Sequence, residues 1–204
     1  MIIIGLCGGS GAGKGTVAGF FAKCGIPSIN ADEVYKDISG VGSQLLSRLR
    51  EAFGDEIITE NGELDRRALS SLVFSEEGRE TRLPILNKIT HSAVIEETER
   101  RISELGSAGI DAVIFDAPQL FESGFDKKCD AVISVIADKE TRIKRIMARD
   151  GISRERAVSR IDSQLSDEFF AKNSDFIIVN NGNVEELNEV IPSIANKIKN
   201  RGLK

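Results

Sequence analysis

The stretch Ile2-Ile3-Ile4-Gly5-Leu6-Cys7-Gly8-Gly9-Ser10-Gly11-Ala12-Gly13-Lys14-Gly15-Thr16 decides the fold of this chain. It opens with a continuous apolar, mostly β-branched run, which is typical of a strand buried on both faces of a parallel sheet. Glycines follow the run, and a helical pattern extends from Lys14 to about Lys23. The stretch therefore predicts a strand, a glycine loop and a helix in direct succession.

The glycine loop has the spacing G-x-x-x-x-G-K of a phosphate-binding loop. Glycines let backbone N–H groups turn towards a phosphate, the helix N-terminus adds partial positive charge, and Lys14 reaches the β- and γ-phosphates. A plain glycine-rich turn with an exposed lysine is the alternative, and the flanking strand and helix favour the phosphate-binding loop. The candidate nucleotide-binding residues here are Gly9, Gly11, Ala12, Gly13, Lys14, Gly15 and Thr16.

Two residues are candidates for holding Mg²⁺. The hydroxyl residue that normally follows the lysine is displaced by one position, because Gly15 precedes Thr16. Thr16 then lies about 100° further around the helix and acts through a shifted loop or a water. Asp116 ends the apolar run Val113-Ile114-Phe115, and it is either a metal-binding acid or an ordinary turn residue at the end of a strand.

Length and composition exclude several classes of protein. At ~150 residues per domain, a chain of 204 residues predicts one domain with an insertion or small lobes. The balance of 27 basic and 32 acidic residues, a net charge of −5, opposes general nucleic-acid binding. No apolar run is long enough for a membrane span or a signal peptide, so we expect a cytoplasmic protein. Three cysteines without C-x-x-C spacing and one histidine do not make a zinc site.

The order of strands and helices predicts an α/β fold of the P-loop NTPase type, with a five-stranded parallel sheet and helices on both faces. Residues 40–109 contain almost only helical spacing, including a helix capped by Asp65 and a long helix with Glu96–Arg100 and Glu97–Arg101 pairs. We therefore predict a nucleotide-binding core of residues 1–39 and 110–204 with a helical insertion at 40–109. The predicted strands are 2–6, 26–29, 112–115, 131–136 and 176–179.

Residues 142–160 are strongly basic, with seven positive and two negative side chains. Arg142, Arg145 and Arg149 have i, i+3, i+7 spacing and share one helix face. Arginine binds phosphate oxygens through a fixed fork, so the cluster predicts a lid at about 139–165 that closes over a triphosphate. The alternative for any one of these arginines is a solvated helix face.

Asp32 follows the second predicted strand, at the sheet edge that bears the glycine loop. A carboxylate there can accept the proton of a hydroxyl that attacks a γ-phosphoryl group, as in kinases. A helix N-cap is the equally open alternative. The segment Asn87-Lys88-Ile89-Thr90 lacks the acidic residue of a guanine-reading element, which argues against a GTPase.

These residues together resemble the dephospho-CoA kinase family over nearly the whole chain. The matching segments are 8–16, 29–32, 62–66, 73–74, 89–91, 116–122, Arg145, 149–150, Gln164 and 179–182. The resemblance implies ATP-dependent phosphorylation of the ribose 3′-hydroxyl of dephospho-CoA, with Mg²⁺. We expect a monomer or small homo-oligomer that binds no nucleic acid or membrane.

The resemblance also implies roles for single residues. Asp32, Lys14 and Arg145 are the implied catalytic residues, and Arg149 and Asn181 join the nucleotide site. The implied substrate-binding residues, in the insertion and after the third strand, are Asp32, Arg66, His91, Pro118, Leu120, Phe121 and Glu122.

Four positions depart from the family pattern, namely Gly15, Asn30, Ser92 and Gln119. The Lys-Gly-Thr order at 14–16 is similar to that of adenylate kinase, so another small-molecule kinase, such as a nucleoside monophosphate kinase, is an alternative. Gly15 and Asn30 also leave open a nucleotide-binding protein that has lost catalysis.

Overall fold

A computed structural model describes residues 1–182 and 184–201. The chain divides into two compact units, one made of Met1–Asn30 with Leu105–Lys204 and the other of Ala31–Glu104. Within the described part of the chain, no helix has the length and apolar character needed to cross a membrane.

Five parallel strands form one sheet in the first unit, as predicted. They are β1 (Ile2–Cys7), β2 (Ser28–Asn30), β3 (Ala112–Asp116), β4 (Ala131–Ile136) and β5 (Phe176–Val179), in the order β2-β3-β1-β4-β5. All five residues of β3 are buried, which explains why the central strands have no alternation of apolar and polar residues.

The second strand begins later than predicted. Ile26 is fully buried, but Gly25 before it has a φ of +74° and Pro27 has no N–H to donate to a ladder. The Pro27 carbonyl still accepts a 2.8 Å hydrogen bond from the Ile114 amide. Regular pairing therefore starts only at Ser28.

Ten α-helices are described along the chain. They are α1 (Lys14–Lys23), α2 (Ala31–Ile38), α3 (Gln44–Phe53), α4 (Arg66–Val73), α5 (Glu76–Thr81), α6 (Leu83–Ser107), α7 (Lys139–Asp150), α8 (Arg154–Asp162), α9 (Asp167–Lys172) and α10 (Val184–Arg201). In the first unit, the α1 residues Val17 and Phe21 and the α10 residues Leu187 and Ile191 pack with Ile4 of β1 in one core.

The second unit has its own helical core. Leu45, Leu49 and Phe53 of α3 pack with Leu69 and Val73 of α4. Asp65 caps α4 as predicted.

The capping geometry of α4 is regular, because the Asp65 carboxylate accepts hydrogen bonds of 2.9 Å from the amides of Arg67 and Ala68. Charge pairing on α6 differs partly from the prediction. Glu97 does pair with Arg101 at 2.8 Å, but Glu96 pairs with Arg48 of α3 at 3.3 Å. A partner on a packed helix thus replaces the expected partner four residues along α6.

The topology places the glycine loop at the point where the strand order reverses. β1 pairs with β3 on one side and β4 on the other. Parallel strands end at the same edge, and a ligand site forms where successive connections diverge. The loop after Cys7 therefore lies beside the carboxyl ends of β3 and β4.

Candidate active site

The glycine loop between β1 and α1 has the geometry of an anion site. Gly11 and Gly13 have φ values of +77° and +93°, a region that favours glycine. The N-terminus of α1 has no side-chain cap and no acidic residue in its first turn. Lys14 donates a 3.0 Å hydrogen bond from Nζ to the Gly8 carbonyl. The free N–H groups and the lysine suit a bound phosphate.

Close packing requires glycine at several loop positions but not at Gly15. A Cβ on Gly9 would lie 2.1 Å from Nη2 of Arg142, and one on Gly11 would lie 2.6 Å from the Arg142 carbonyl oxygen. A Cβ on Gly13 would lie 2.1 Å from Nδ2 of Asn180. Gly15 has no heavy atom within 4 Å of the corresponding position. A side chain at residue 15 therefore fits without displacing a neighbour.

Arg142 lies behind the loop rather than on an open lid surface. Its side chain is buried and donates to the Ser10 carbonyl at 2.9 Å, to Gln164 at 3.2 Å and to Asp167 at 3.4 Å. Burial lowers the pKa of its guanidinium, and nearby Asp167 acts in the opposite sense. The prediction that Arg142 belongs to an arginine face that closes over a triphosphate is wrong, because its guanidinium donates to three acceptors of the protein itself.

Arg145 and Asn180 hold the next two loop carbonyls. Arg145 Nη1 donates to the carbonyls of Asn180 at 2.9 Å and Gly11 at 3.2 Å. Asn180 Nδ2 donates to the Ala12 carbonyl at 2.9 Å. The C=O of Ala12 and the N–H of Gly13 belong to one trans peptide and point in opposite directions. The Gly13 N–H is thus directed away from Asn180.

Arg149 has a different environment from both of these arginines. Its side chain is exposed, and it donates to the two carboxylate oxygens of Asp150 at 2.7 and 3.0 Å. Arg160 contacts the same carboxylate. These hydrogen bonds, the one from Arg149 first, lower the pKa of Asp150 to about 2. One helix face therefore carries arginines with three different roles.

The two candidate metal-binding residues differ in exposure. Asp116 is buried at the end of β3, where Asn30 Nδ2 lies 3.4 Å from its Oδ2. Thr16 is exposed on the first turn of α1. Over residues 1–182 and 184–201, no group of three or more His, Cys, Asp or Glu side chains could hold a metal. A carboxylate and a hydroxyl are oxygen donors that suit Mg²⁺, which binds through few protein ligands when nucleotide phosphates supply the others.

The segment after β3 has both buried and exposed candidates. Leu120 is fully buried, and its Cδ2 lies 2.7 Å from where a Cβ on Gly5 would be. Its burial contradicts a substrate contact by the Leu120 side chain. Phe121 is half-buried and meets Phe169 edge to face with ring centroids 5.2 Å apart. The exposed candidates of this segment are Pro118 and Glu122.

The other substrate candidates lie in the helical unit. Asp32 is exposed in the first turn of α2, so it is inside the helix and does not precede it as an N-cap would. Arg66 begins α4, with its Cζ 5.5 Å from the centre of the Tyr35 ring. His91 is half-buried on α6.

Two further residues, Asn181 and Cys7, belong to the first unit. Asn181 accepts a 2.8 Å hydrogen bond from the Asp138 amide, just before α7. Cys7 ends β1, with its Sγ 3.1 Å from Ser134 Oγ. Burial raises the pKa of the Cys7 thiol to about 11, so a neutral thiol lies beneath the loop.

Sequence reasoning matched Asn180 and Gln164 to the family but gave neither residue a role in holding the loop. Asn180 follows a buried strand directly, which is the signal that identified Asp116, and the same rule would have found it. Gln164 has no such local signal, since its relation to Ser10 depends on how α8 packs.

Comparisons with known proteins agree with this geometry. A family model described as dephospho-CoA kinase matches residues 2–186. Dephospho-CoA kinase from Carboxydothermus hydrogenoformans is 39% identical over 197 residues, which are 97% of this chain and 94% of that protein.

Two solved structures extend the comparison. A Thermus thermophilus protein of known crystal structure is 31% identical, with a TM-score of 0.75 and coverage of 96% of this chain and 97% of that one. Dephospho-CoA kinase from Campylobacter jejuni is 26% identical, with a TM-score of 0.67 and coverage of 98% of both chains. The fold, the glycine loop and the match along nearly the whole sequence place this chain in the dephospho-CoA kinase family.

Proposed function

We propose that this protein transfers the γ-phosphoryl group of ATP to the ribose 3′-hydroxyl of dephospho-CoA, giving CoA and ADP. The observation that carries this proposal is the glycine loop at the reversal point of the sheet, in a chain matched to the family over residues 2–186. The reaction is the last step of coenzyme A synthesis. ATP is the phosphoryl donor that the family membership implies.

The loop binds the β- and γ-phosphates through backbone N–H groups and Lys14. Arg145 supports the reaction by fixing the Gly11 and Ala12 carbonyls, from 3.2 and 3.4 Å, and its positive charge lies next to the loop. Arg149 and Asn181 complete the nucleotide site. For Arg149 this requires exchange of the Asp150 carboxylate for a phosphate, which an exposed ion pair permits because such pairs are weak.

Thr16 and Asp116 are the residues that would hold Mg²⁺. When bound, the ion neutralises charge on the β- and γ-phosphates. A hydroxyl from Thr16 and a carboxylate oxygen from Asp116 fit the oxygen preference of the ion. This chain has Gly15 at the position where the family usually has a hydroxyl residue, and glycine offers no side-chain ligand. Thr16 therefore takes that role.

Asp32 is the general base of the proposed reaction. Its carboxylate accepts the proton of the 3′-hydroxyl while the ribose oxygen forms a bond to the γ-phosphorus. The bond from that phosphorus to the β–γ bridging oxygen breaks, and ADP leaves with the electron pair. Asp32 is exposed, which keeps its carboxylate accessible to substrate.

The helical insertion is the proposed substrate-binding region, and the segment at about 139–165 is the lid. The proposed contacts with dephospho-CoA are Arg66, His91, Pro118, Phe121 and Glu122. We also propose a cytoplasmic enzyme that acts as a monomer or small homo-oligomer, without nucleic-acid or membrane partners.

The decisive experiment measures ADP release from Mg-ATP with dephospho-CoA, with AMP and without an acceptor, and identifies the product by mass. Turnover only with dephospho-CoA, yielding CoA, supports the proposal. Turnover with AMP would instead support a nucleoside monophosphate kinase, which the order Lys14-Gly15-Thr16 favours. ATP binding without turnover on any acceptor would indicate lost catalysis.

A variant pair tests the general base. Asp32→Asn is expected to lose about a hundredfold or more in kcat, in line with general-base catalysis, while ADP affinity is retained. Glu33→Gln, on the same helical turn, is the matched control and should keep wild-type turnover. Wild-type turnover in Asp32→Asn would exclude Asp32 as the base.

A further inference from the structure

Ser10, within the glycine loop, is held by three hydrogen bonds from residues far along the chain. Its amide N–H donates to Gln164 Oε1 at 2.9 Å, and its hydroxyl lies 3.2 Å from Gln164 Nε2. Its carbonyl accepts from Arg142 at 2.9 Å. Every polar group of this loop residue is therefore paired with the segment that runs from α7 to the residues after α8.

The chemistry of the neighbours fixes the orientation of the Gln164 amide. Ser10 N–H and Arg142 Nη2 are both donors, at 2.9 and 3.2 Å from Oε1, so only the amide oxygen can face them. The amide NH₂ group must then face the Ser10 hydroxyl, which accepts. Gln164 thus supplies one acceptor and one donor in the arrangement that Ser10 requires.

Gln164 also lies at a junction of the proposed lid. The backbone N–H of Gln164, just beyond the end of α8, donates a hydrogen bond to the Ile161 carbonyl at 3.1 Å. Through Arg142 it is linked to Asp167, the first residue of α9, at 3.4 Å. A displacement of α8 and α9 would move the side-chain amide of Gln164. The backbone N–H of Ser10, which donates to it, would move as well.

We propose that Gln164 is a positioning residue that couples the α8–α9 segment to the phosphate loop through Ser10. While α8 and α9 are docked, Ser10 is fixed and the N–H groups that follow it are held ready for the nucleotide phosphates. Nucleotide binding in turn stabilises the docked segment, because coupling between two sites is reciprocal. This inference rests on the proposed function, since it assigns Gln164 a part in binding the same nucleotide.

The test replaces Gln164 with methionine, which has a similar shape but cannot reproduce the amide hydrogen bonds. ADP affinity is expected to fall by about tenfold, the loss typical of two neutral hydrogen bonds such as those that the Gln164 side chain makes with Ser10. The KM for ATP should rise by a similar factor, and the KM for dephospho-CoA should stay within about twofold. In wild type, ADP should slow hydrogen exchange over residues 154–172, and in Gln164→Met it should slow exchange only in the loop.

Ser163→Ala is the matched control, because it removes the neighbouring hydrogen bond from Ser163 Oγ to Arg160 O, 3.0 Å long, and does not touch Ser10. It should behave as wild type. If Gln164→Met does not fold, Ser10→Ala serves instead, with an expected loss of about threefold in ADP affinity for one hydrogen bond.

Wild-type ADP affinity and lid protection in Gln164→Met would overturn the coupling while leaving the proposed function intact. Failure of the wild-type protein to bind ADP would overturn both. Equal increases in both KM values would indicate a general structural defect and also contradict a positioning role towards ATP.

Discussion

Gly9→Ala is the substitution whose effect follows most directly from the structure. A Cβ at this position would lie 2.1 Å from Nη2 and 2.7 Å from Cζ of Arg142. The guanidinium cannot swing into solvent, because the Arg142 side chain is 5% exposed. It must instead give up its hydrogen bonds to Ser10 and Gln164, at 2.9 and 3.2 Å.

The expected destabilisation comes from those two bonds. Hydrogen bonds to a charged group contribute about 1.5–3 kcal/mol each, and local relaxation recovers part of the loss. We take ~3 kcal/mol as the net cost, which lowers Tm by about 6–12 °C in a chain of this size. Gly15→Ala is the matched control. With nothing within 4 Å and a helical position, it should raise stability by up to ~1 kcal/mol.

Thermal unfolding followed by far-ultraviolet circular dichroism measures both variants, and ADP titration reports the loop itself. Gly9→Ala should also bind ADP more weakly, because Ser10 loses its partner on the carbonyl side. If Gly9→Ala melts within about 2 °C of wild type and binds ADP equally well, the close contact with Arg142 does not constrain the loop and the reasoning is wrong.

Three further predictions concern other parts of the chain. Burial raises the pKa of Cys7 to about 11, and that of Cys129 to about 12, so at about pH 8 a thiol reagent should leave both unmodified until the protein unfolds; rapid labelling of the folded protein, read by peptide mass, would contradict this. Arg100, followed by Arg101, lowers the pKa of Glu97 to about 2. The stabilising contribution of the Glu97 carboxylate should therefore be complete above the unfolded pKa of about 4.5 and be lost as pH falls through about 2. In Glu97→Gln, the free energy of unfolding measured with urea should depend less on pH over that interval. Gly15→Ser places a hydroxyl where space is open and should lower the Mg²⁺ concentration for half-maximal turnover; an unchanged Mg²⁺ titration would mean that residue 15 does not face the metal.

The sequence predicted the sheet and loop well, because their signals are local. A β-branched run with no polar face is typical of strands buried between two layers, and the structure places such runs in β1, β3 and β4. The loop is encoded by glycines whose positions have a steric cause, as Gly9 and Gly11 show. The start of β2 depends on Pro27, and the effect of this proline is visible only in the hydrogen bonds between the strands.

The partners of charged residues could not be predicted in the same way. Glu96 has an arginine four residues ahead on α6 but pairs with Arg48 of another helix, because helix packing brings that arginine closer in the required direction. Leu120 matched a family segment, yet its side chain fills space beside Gly5. Spacing along the chain fixes which residues share a face, and packing decides what that face meets.

The arginines of α7 show how packing turns a basic surface into support for a binding site. Arg142 binds the Ser10 carbonyl, Arg145 the Gly11 carbonyl, and Asn180 the Ala12 carbonyl, at 2.9, 3.2 and 2.9 Å. Three consecutive carbonyls are thus held from behind, and the N–H groups of the same peptides point the opposite way.

A glycine-rich loop is costly to order, since glycine loses more conformational freedom than any other residue. The two guanidinium groups offset that cost, and they place positive charge directly behind the loop that we propose binds the nucleotide phosphates. A donor set fixed before its ligand arrives loses little in reorganisation when charge develops on a phosphoryl group. The local excess of basic residues in an acidic chain therefore acts first on the protein's own backbone, and through it on the phosphates.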